Sequence, residues 1–128
     1  MIERIVPPGI PTPTFPYSPA VRAGGFVYVS GEVVVDLATN RLSVGDIRHE
    51  TKVILNNIKH ILEGSGSSMA DVVKCNVYLT RGTDFGGMNE VYAEAFGVNK
   101  PARTTVVVAF ANTEICVEID CIAYSPKP

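Results

Sequence analysis

The chain has 128 residues, 46% hydrophobic and 19% charged, with a formal charge of −2 and a mean hydropathy of +0.19. That is one domain, residues 1–128, able to bury a core without disulfide or metal staples. Lys and Arg form no cluster, which excludes the electrostatic footprint of a nucleic-acid or anionic-membrane binder, and the apolar surplus fits a surface partly covered by copies of itself.

Three cysteines without ligand spacing fit reduced thiols and a cytoplasmic location. The start runs into prolines instead of an apolar segment, and no apolar run is long enough for a membrane span. His49 and His60 fall three turns apart on one expected helix, too far for a metal or acid–base pair.

Residues 2–6 read as a short edge strand stopped by Pro7 and Pro8. Residues 9–19 are an extended loop, because prolines remove donors and fix φ; its Phe15 and Tyr17 are plugs or lids. Residues 20–23 and 26–30 form a hairpin through Gly24-Gly25. It ends at Ser30-Gly31-Glu32, where a glycine makes a bulge or admits another backbone or a ligand.

From Asp46 the period changes to that of a helix, with Ile47, Thr51, Ile54, Leu55, Ile58, Ile61 and Leu62 on one face, Asp46 as its cap and Gly64 as its C′ glycine. Residues 72–79 are a strand with Val73, Cys75, Val77 and Leu79 on one side. Thr83 or Asp84 caps a second helix with Phe85, Met88, Tyr92, Ala95 and Phe96 in one core-packing stripe, closed by Gly97. The order β-β-β-α-β-α-β-β predicts an α+β domain, a mostly antiparallel sheet with two helices on one face.

The last quarter reads as a hairpin, residues 101–110 and 115–123, turning at Asn112-Thr113. That register sets residue 105 opposite 120 and 103 opposite 122. Arg103, Thr105, Val107 and Ala109 then share a face with Cys116, Glu118, Asp120 and Ile122, while Val106, Val108 and Phe110 join Ile115, Val117 and Ile119 under the helices. Arg103 and Asp120 become diagonal neighbours about 7–8 Å apart. Two readings follow: a structural ion pair, or a guanidinium that grips a carboxylate while Asp120 orients a water. Cys75, Cys116 and Cys121 lack an adjacent base, and no Ser/His/Asp set, phosphate loop or HExxH motif is present.

Phe15-Pro16-Tyr17-Ser18-Pro19-Ala20, Val29-Ser30-Gly31, residues 89–96, Lys100-Pro101-Ala102-Arg103 and residues 117–123 resemble, nearly end to end, the RidA (YjgF/YER057c/UK114) family of reactive-intermediate deaminases. The resemblance implies a chorismate-mutase-like α+β fold and a homotrimer with clefts between subunits. It also implies cofactor-free, metal-free hydrolysis of 2-imino acids, formed from enamines such as 2-aminoacrylate, to 2-oxo acids and ammonia. On this pattern Arg103 holds the substrate carboxylate, Asp120 positions or activates the water, and Tyr17, Ser30, Gly31, Asn89 and Thr105 line the cleft. Thr105 and Asp120 stand where deaminating members commonly have cysteine and glutamate. Glu118 is assigned to a different family position and given no role. The alternatives are a non-catalytic trimer that binds small carboxylates and acts through partners, and a deaminase for another enamine such as an aminomuconate.

Overall fold

A computed structural model describes residues 1–125. Its elements are β1 (Glu3–Ile5), β2 (Ala20–Ala23), β3 (Phe26–Glu32), β4 (Val35–Asp36), β5 (Arg41–Leu42), α1 (Ile47–Glu63), β6 (Val72–Leu79), α2 (Phe85–Phe96), β7 (Ala102–Val107) and β8 (Val117–Tyr124). Six strands form one sheet in the order β1-β2-β3-β8-β6-β7, and β4-β5 is a separate ribbon. The expected α+β architecture is present, with the ribbon inserted between β3 and α1.

The helical period does what it predicts. Ile54, Leu55, Ile58, Ile61 and Leu62 are buried on α1, each worth about 1.5–3 kcal/mol when removed from water. Asp46 caps α1 by accepting from His49 N–H at 2.9 Å. Gly64 follows the last turn with right-handed φ of −70°, so the left-handed exit falls instead at Gly66, φ 81°. On β6 the expected alternation holds for Cys75, Val77 and Leu79 but not for Val73: a shift in the β6–β8 register between Val72 and Lys74 turns Val73 outward and buries Val72. Glu50, fully buried on α1, accepts from Gly45 N–H at 3.1 Å and Cys116 N–H at 3.0 Å, tying the helix to the chain just before β8.

The C-terminal hairpin does not form. β7 pairs in parallel with β6, at the sheet edge, and β8 is inserted between β3 and β6, antiparallel to both. The reason is the helix between β6 and β7. A strand, a crossover helix and a second strand deliver parallel neighbours, so β7 takes the edge beside β6 and residues 108–116 return the chain to the middle of the sheet. The polar break is a local turn, with Asn112 Oδ1 accepting from Glu114 N–H at 2.9 Å.

This corrects the faces of β7. Arg103 lies opposite Cys75 and Thr105 opposite Val77, on the helix side; Thr104 and Val106 lie opposite Asn76 and Tyr78, on the other side. β8 keeps its expected faces: Val117 and Ile119 are buried, while Glu118 and Asp120 pair with Tyr78 and Asn76. Arg103 and Asp120 therefore occupy opposite faces and are not an ion pair.

Candidate functional site

Arg103 rises from the edge strand against α2. Its guanidinium lies 4.8 Å from the Tyr92 ring centre and 5.7 Å from that of Phe85, with Nη1 3.9 Å from Met88 Sδ. Phe85, Met88 and Tyr92 recur at helical spacing, so one stripe of α2 forms the wall. Such stacking fixes the planar fork and leaves its N–H groups free to bind. Arg103 is half-buried and has no carboxylate partner among the described residues. Close to it in the fold, Asn89 Oδ1 on α2 and Thr105 Oγ1 on β7 are buried oxygens without a hydrogen-bond partner among the described residues. A cation and two idle oxygens in one part of a fold are unusual unless something binds there. Burial pushes the Tyr92 hydroxyl and the Cys75 thiol up, which disfavours their anions at neutral pH.

A second cluster gathers at the end of β3. Ser30 Oγ donates to Ser18 O at 2.5 Å and Ser30 N–H to Pro19 O at 3.1 Å, pinning the proline loop and its Tyr17 to the strand. The missing side chain at Gly31 leaves room for the Glu118 carboxylate: a Cβ there would overlap it, at Oε2 first, and displace it. Glu118 makes no hydrogen bond to a described side chain or backbone group, and its carboxyl is pushed up by burial and then by the charge of Asp120. Glu32 beside it is buried and pushed up to about 7 by burial and then by Glu118, while the Tyr17 hydroxyl is pushed up by burial and then by Glu32.

Asp120, the carboxylate expected to handle water, is occupied. Its Oδ1 accepts from Asn76 Nδ2 and its Oδ2 from Tyr78 OH, each at 2.9 Å. On the same face the carboxylate with uncommitted oxygens is Glu118, which the sequence reading placed beside Asp120 but set aside because the family resemblance assigned it to a different position.

The structure thus sorts the predicted residues into two groups. Arg103, Asn89 and Thr105 sit at the β7–α2 edge; Tyr17, Ser30 and Gly31 sit at the end of β3, with Glu118 beside them. β3 and β7 are separated by β8 and β6, about 14 Å at ordinary strand spacing. Among the described residues no three His, Cys, Asp or Glu side chains cluster to hold a metal ion, and no helix is long and apolar enough to cross a membrane.

The family model described as Endoribonuclease L-PSP matches residues 9–125. The chain belongs to the RidA family. It is 45% identical over 124 residues to the RutC family protein of Pyrococcus horikoshii, covering 97% of this chain and 98% of that one. It is 41% identical over 121 residues to the 2-iminobutanoate/2-iminopropanoate deaminase of Dermatophagoides farinae, covering 94% of each. Its fold matches the crystal structure of RidA from an Antarctic Psychrobacter with a TM-score of 0.87 at 38% identity, covering 95% of this chain and 98% of that one. The two clusters therefore belong to a RidA-family chain, on a fold shared nearly end to end.

Proposed function

We propose that this RidA-family chain hydrolyses 2-imino acids to 2-oxo acids and ammonia in clefts between the subunits of a homotrimer. The observation that carries the reading is Arg103, a half-buried guanidinium stacked on two rings without a carboxylate partner among the described residues, beside idle oxygens on Asn89 and Thr105. Its natural complement is the carboxylate of a small acid, gripped bidentately. The two half-sites, too far apart to meet within one copy, suit a cleft in which Arg103 of one subunit faces Tyr17, Gly31 and Glu118 of another.

In that cleft the work is divided. Arg103 fixes the substrate carboxylate and so places the imine carbon, already electrophilic, beside a water. Glu118 takes a proton as the water oxygen bonds to the carbon of the protonated imine and the C=N π pair moves to nitrogen. It returns that proton to nitrogen, then accepts the hydroxyl proton as C=O forms and the C–N bond breaks, and passes it to the departing ammonia, which leaves as ammonium. A carboxyl whose pKa is raised by burial is suited to these transfers. Asn89 Oδ1 and Thr105 Oγ1 accept from the nitrogen or the water. Asp120 holds Asn76 and Tyr78 behind Glu118, a positioning role in place of the direct one expected from sequence.

The test is 2-oxo acid release from enzymatically generated 2-iminopropanoate by wild type, Arg103→Ala and Glu118→Gln. Loss of turnover in both variants supports the assignment; wild-type rates in either remove that residue from it. A chain inactive on imines but stabilised thermally by 2-oxobutanoate, in an Arg103-dependent way, would be a carboxylate-binding trimer instead.

A further inference from the structure

Glu32 is used neither by the fold nor by the chemistry just described. The β3–β8 register shifts between Val29 and Glu32, and Glu32 comes to lie opposite the core residue Ile119 with 8% of its surface exposed. Its carboxylate makes no hydrogen bond or ion pair to a described residue. Its side chain lines a cavity of about 70 Å³ together with Tyr17, Gly31, Pro11, Val33 and Ile61, and it is the sole charged group in that lining.

Buried carboxylates are normally paired or tightly hydrogen-bonded. Here the surroundings are mostly prolines and aliphatic groups, with Tyr17 and Asn40 the polar side chains among them, and the charge that acts on Glu32, that of Glu118, has the same sign. A fold with no use for the charge would do better with an apolar residue or an amide. The cavity also shares Tyr17 and Gly31 with the proposed cleft. Glu118 and Glu32 lie on opposite faces of the sheet, so a substrate held at Arg103 and Glu118 would reach Glu32 by passing round the free end of β3 at Gly31 and Tyr17.

We infer that Glu32 and its cavity form a side-chain subsite that selects 2-imino acids ending in a cationic nitrogen, an ammonium or guanidinium group. The inference rests on the deaminase reading and adds its substrate class. The substrate's two ends then meet opposite charges, its carboxylate at Arg103 and its cation at Glu32, whereas a neutral chain leaves Glu32 unpaired.

An amino-acid oxidase generates the imines of arginine and of norvaline, one cationic and one neutral, for wild type and Glu32→Gln, an isosteric change. The ratio of kcat/KM for the arginine imine to that for the norvaline imine is expected to fall at least tenfold in the variant, chiefly through KM. An unchanged ratio overturns the subsite while leaving deamination standing. If wild type turns over neither imine, the deaminase reading fails, and thermal stabilisation by the corresponding 2-oxo acids decides the subsite. A Glu32-dependent preference for the guanidino acid supports it, and equal stabilisation of wild type and variant overturns it.

Discussion

Arg103 and Glu118 are the two side chains on which the proposed chemistry turns, and each has a neighbour that defines its test. Arg103→Ala should cost about 2–5 kcal/mol in kcat/KM, the range for a buried charge losing its partner. Arg103→Lys should recover little of it, because an ammonium keeps the charge but not the fork or the stack on Tyr92 and Phe85. On β8, Glu118→Gln should abolish turnover with the fold intact. Asp120→Asn should mainly disturb the bonds to Asn76 and Tyr78, reducing rate by a smaller factor and lowering stability by about 1–3 kcal/mol. The reverse ranking would restore Asp120 as the water-handling group. Glu32 gives a pH signature. Its carboxyl, ordinarily near 4.5, is held at about 7 by burial and then by Glu118. Below 4.5 folded and unfolded chains are both protonated there; between 4.5 and 7 only the folded chain keeps the proton, so stability falls as pH rises through that window. Relative to Glu32→Gln, wild type should lose roughly 3 kcal/mol between pH 4 and pH 8, read by denaturant unfolding at fixed ionic strength.

Two elements depend on a missing Cβ. Gly31 on β3 gives the Glu118 carboxylate its place, and Gly31→Ala would drive that side chain away; activity should fall while the melting temperature moves by a few degrees at most. Gly87 on α2 lets the helices approach, since a Cβ there would sit 2.7 Å from Ile47 Cγ2. Gly87→Ala should destabilise by about 1–3 kcal/mol through overpacking. The element scale also shows what sequence could reveal. Asp46 as a cap, the apolar face of α1 and the Gly24-Gly25 hairpin were legible because each is local, decided by residues within a turn or two. The partner of β7 was not. Its β-branched run and the Asn112-Thr113 break are compatible with a hairpin, and only the demand of the β6–α2–β7 crossover for a parallel neighbour excludes it. Arg103 stood out because a cation in an apolar strand is conspicuous whatever its partner. Glu118 was drawn on the same face as Asp120 and passed over because the family resemblance assigned it to a different position; what distinguishes it is its closeness to Gly31, which arises from the β3–β8 pairing.

At the scale of the whole molecule, the sheet has helices on one face while Tyr28 and Val106 stand exposed on the other, around Asn76, Tyr78, Glu118 and Asp120. On the proposed reading a trimer buries this face and completes the site, because Arg103 and Glu118 rise from opposite faces of the sheet, with β6 between their strands, and one copy cannot bring them together. The most direct test uses the two inactive variants together. Arg103→Ala and Glu118→Gln chains, co-refolded in equal amounts with subunit exchange verified by native mass spectrometry, should form mixed trimers in which some clefts pair an intact Arg103 with an intact Glu118. Random assembly predicts recovery of about a quarter of wild-type imine hydrolysis. A mixture as inactive as its parents, despite exchanged subunits, would contradict the composite cleft.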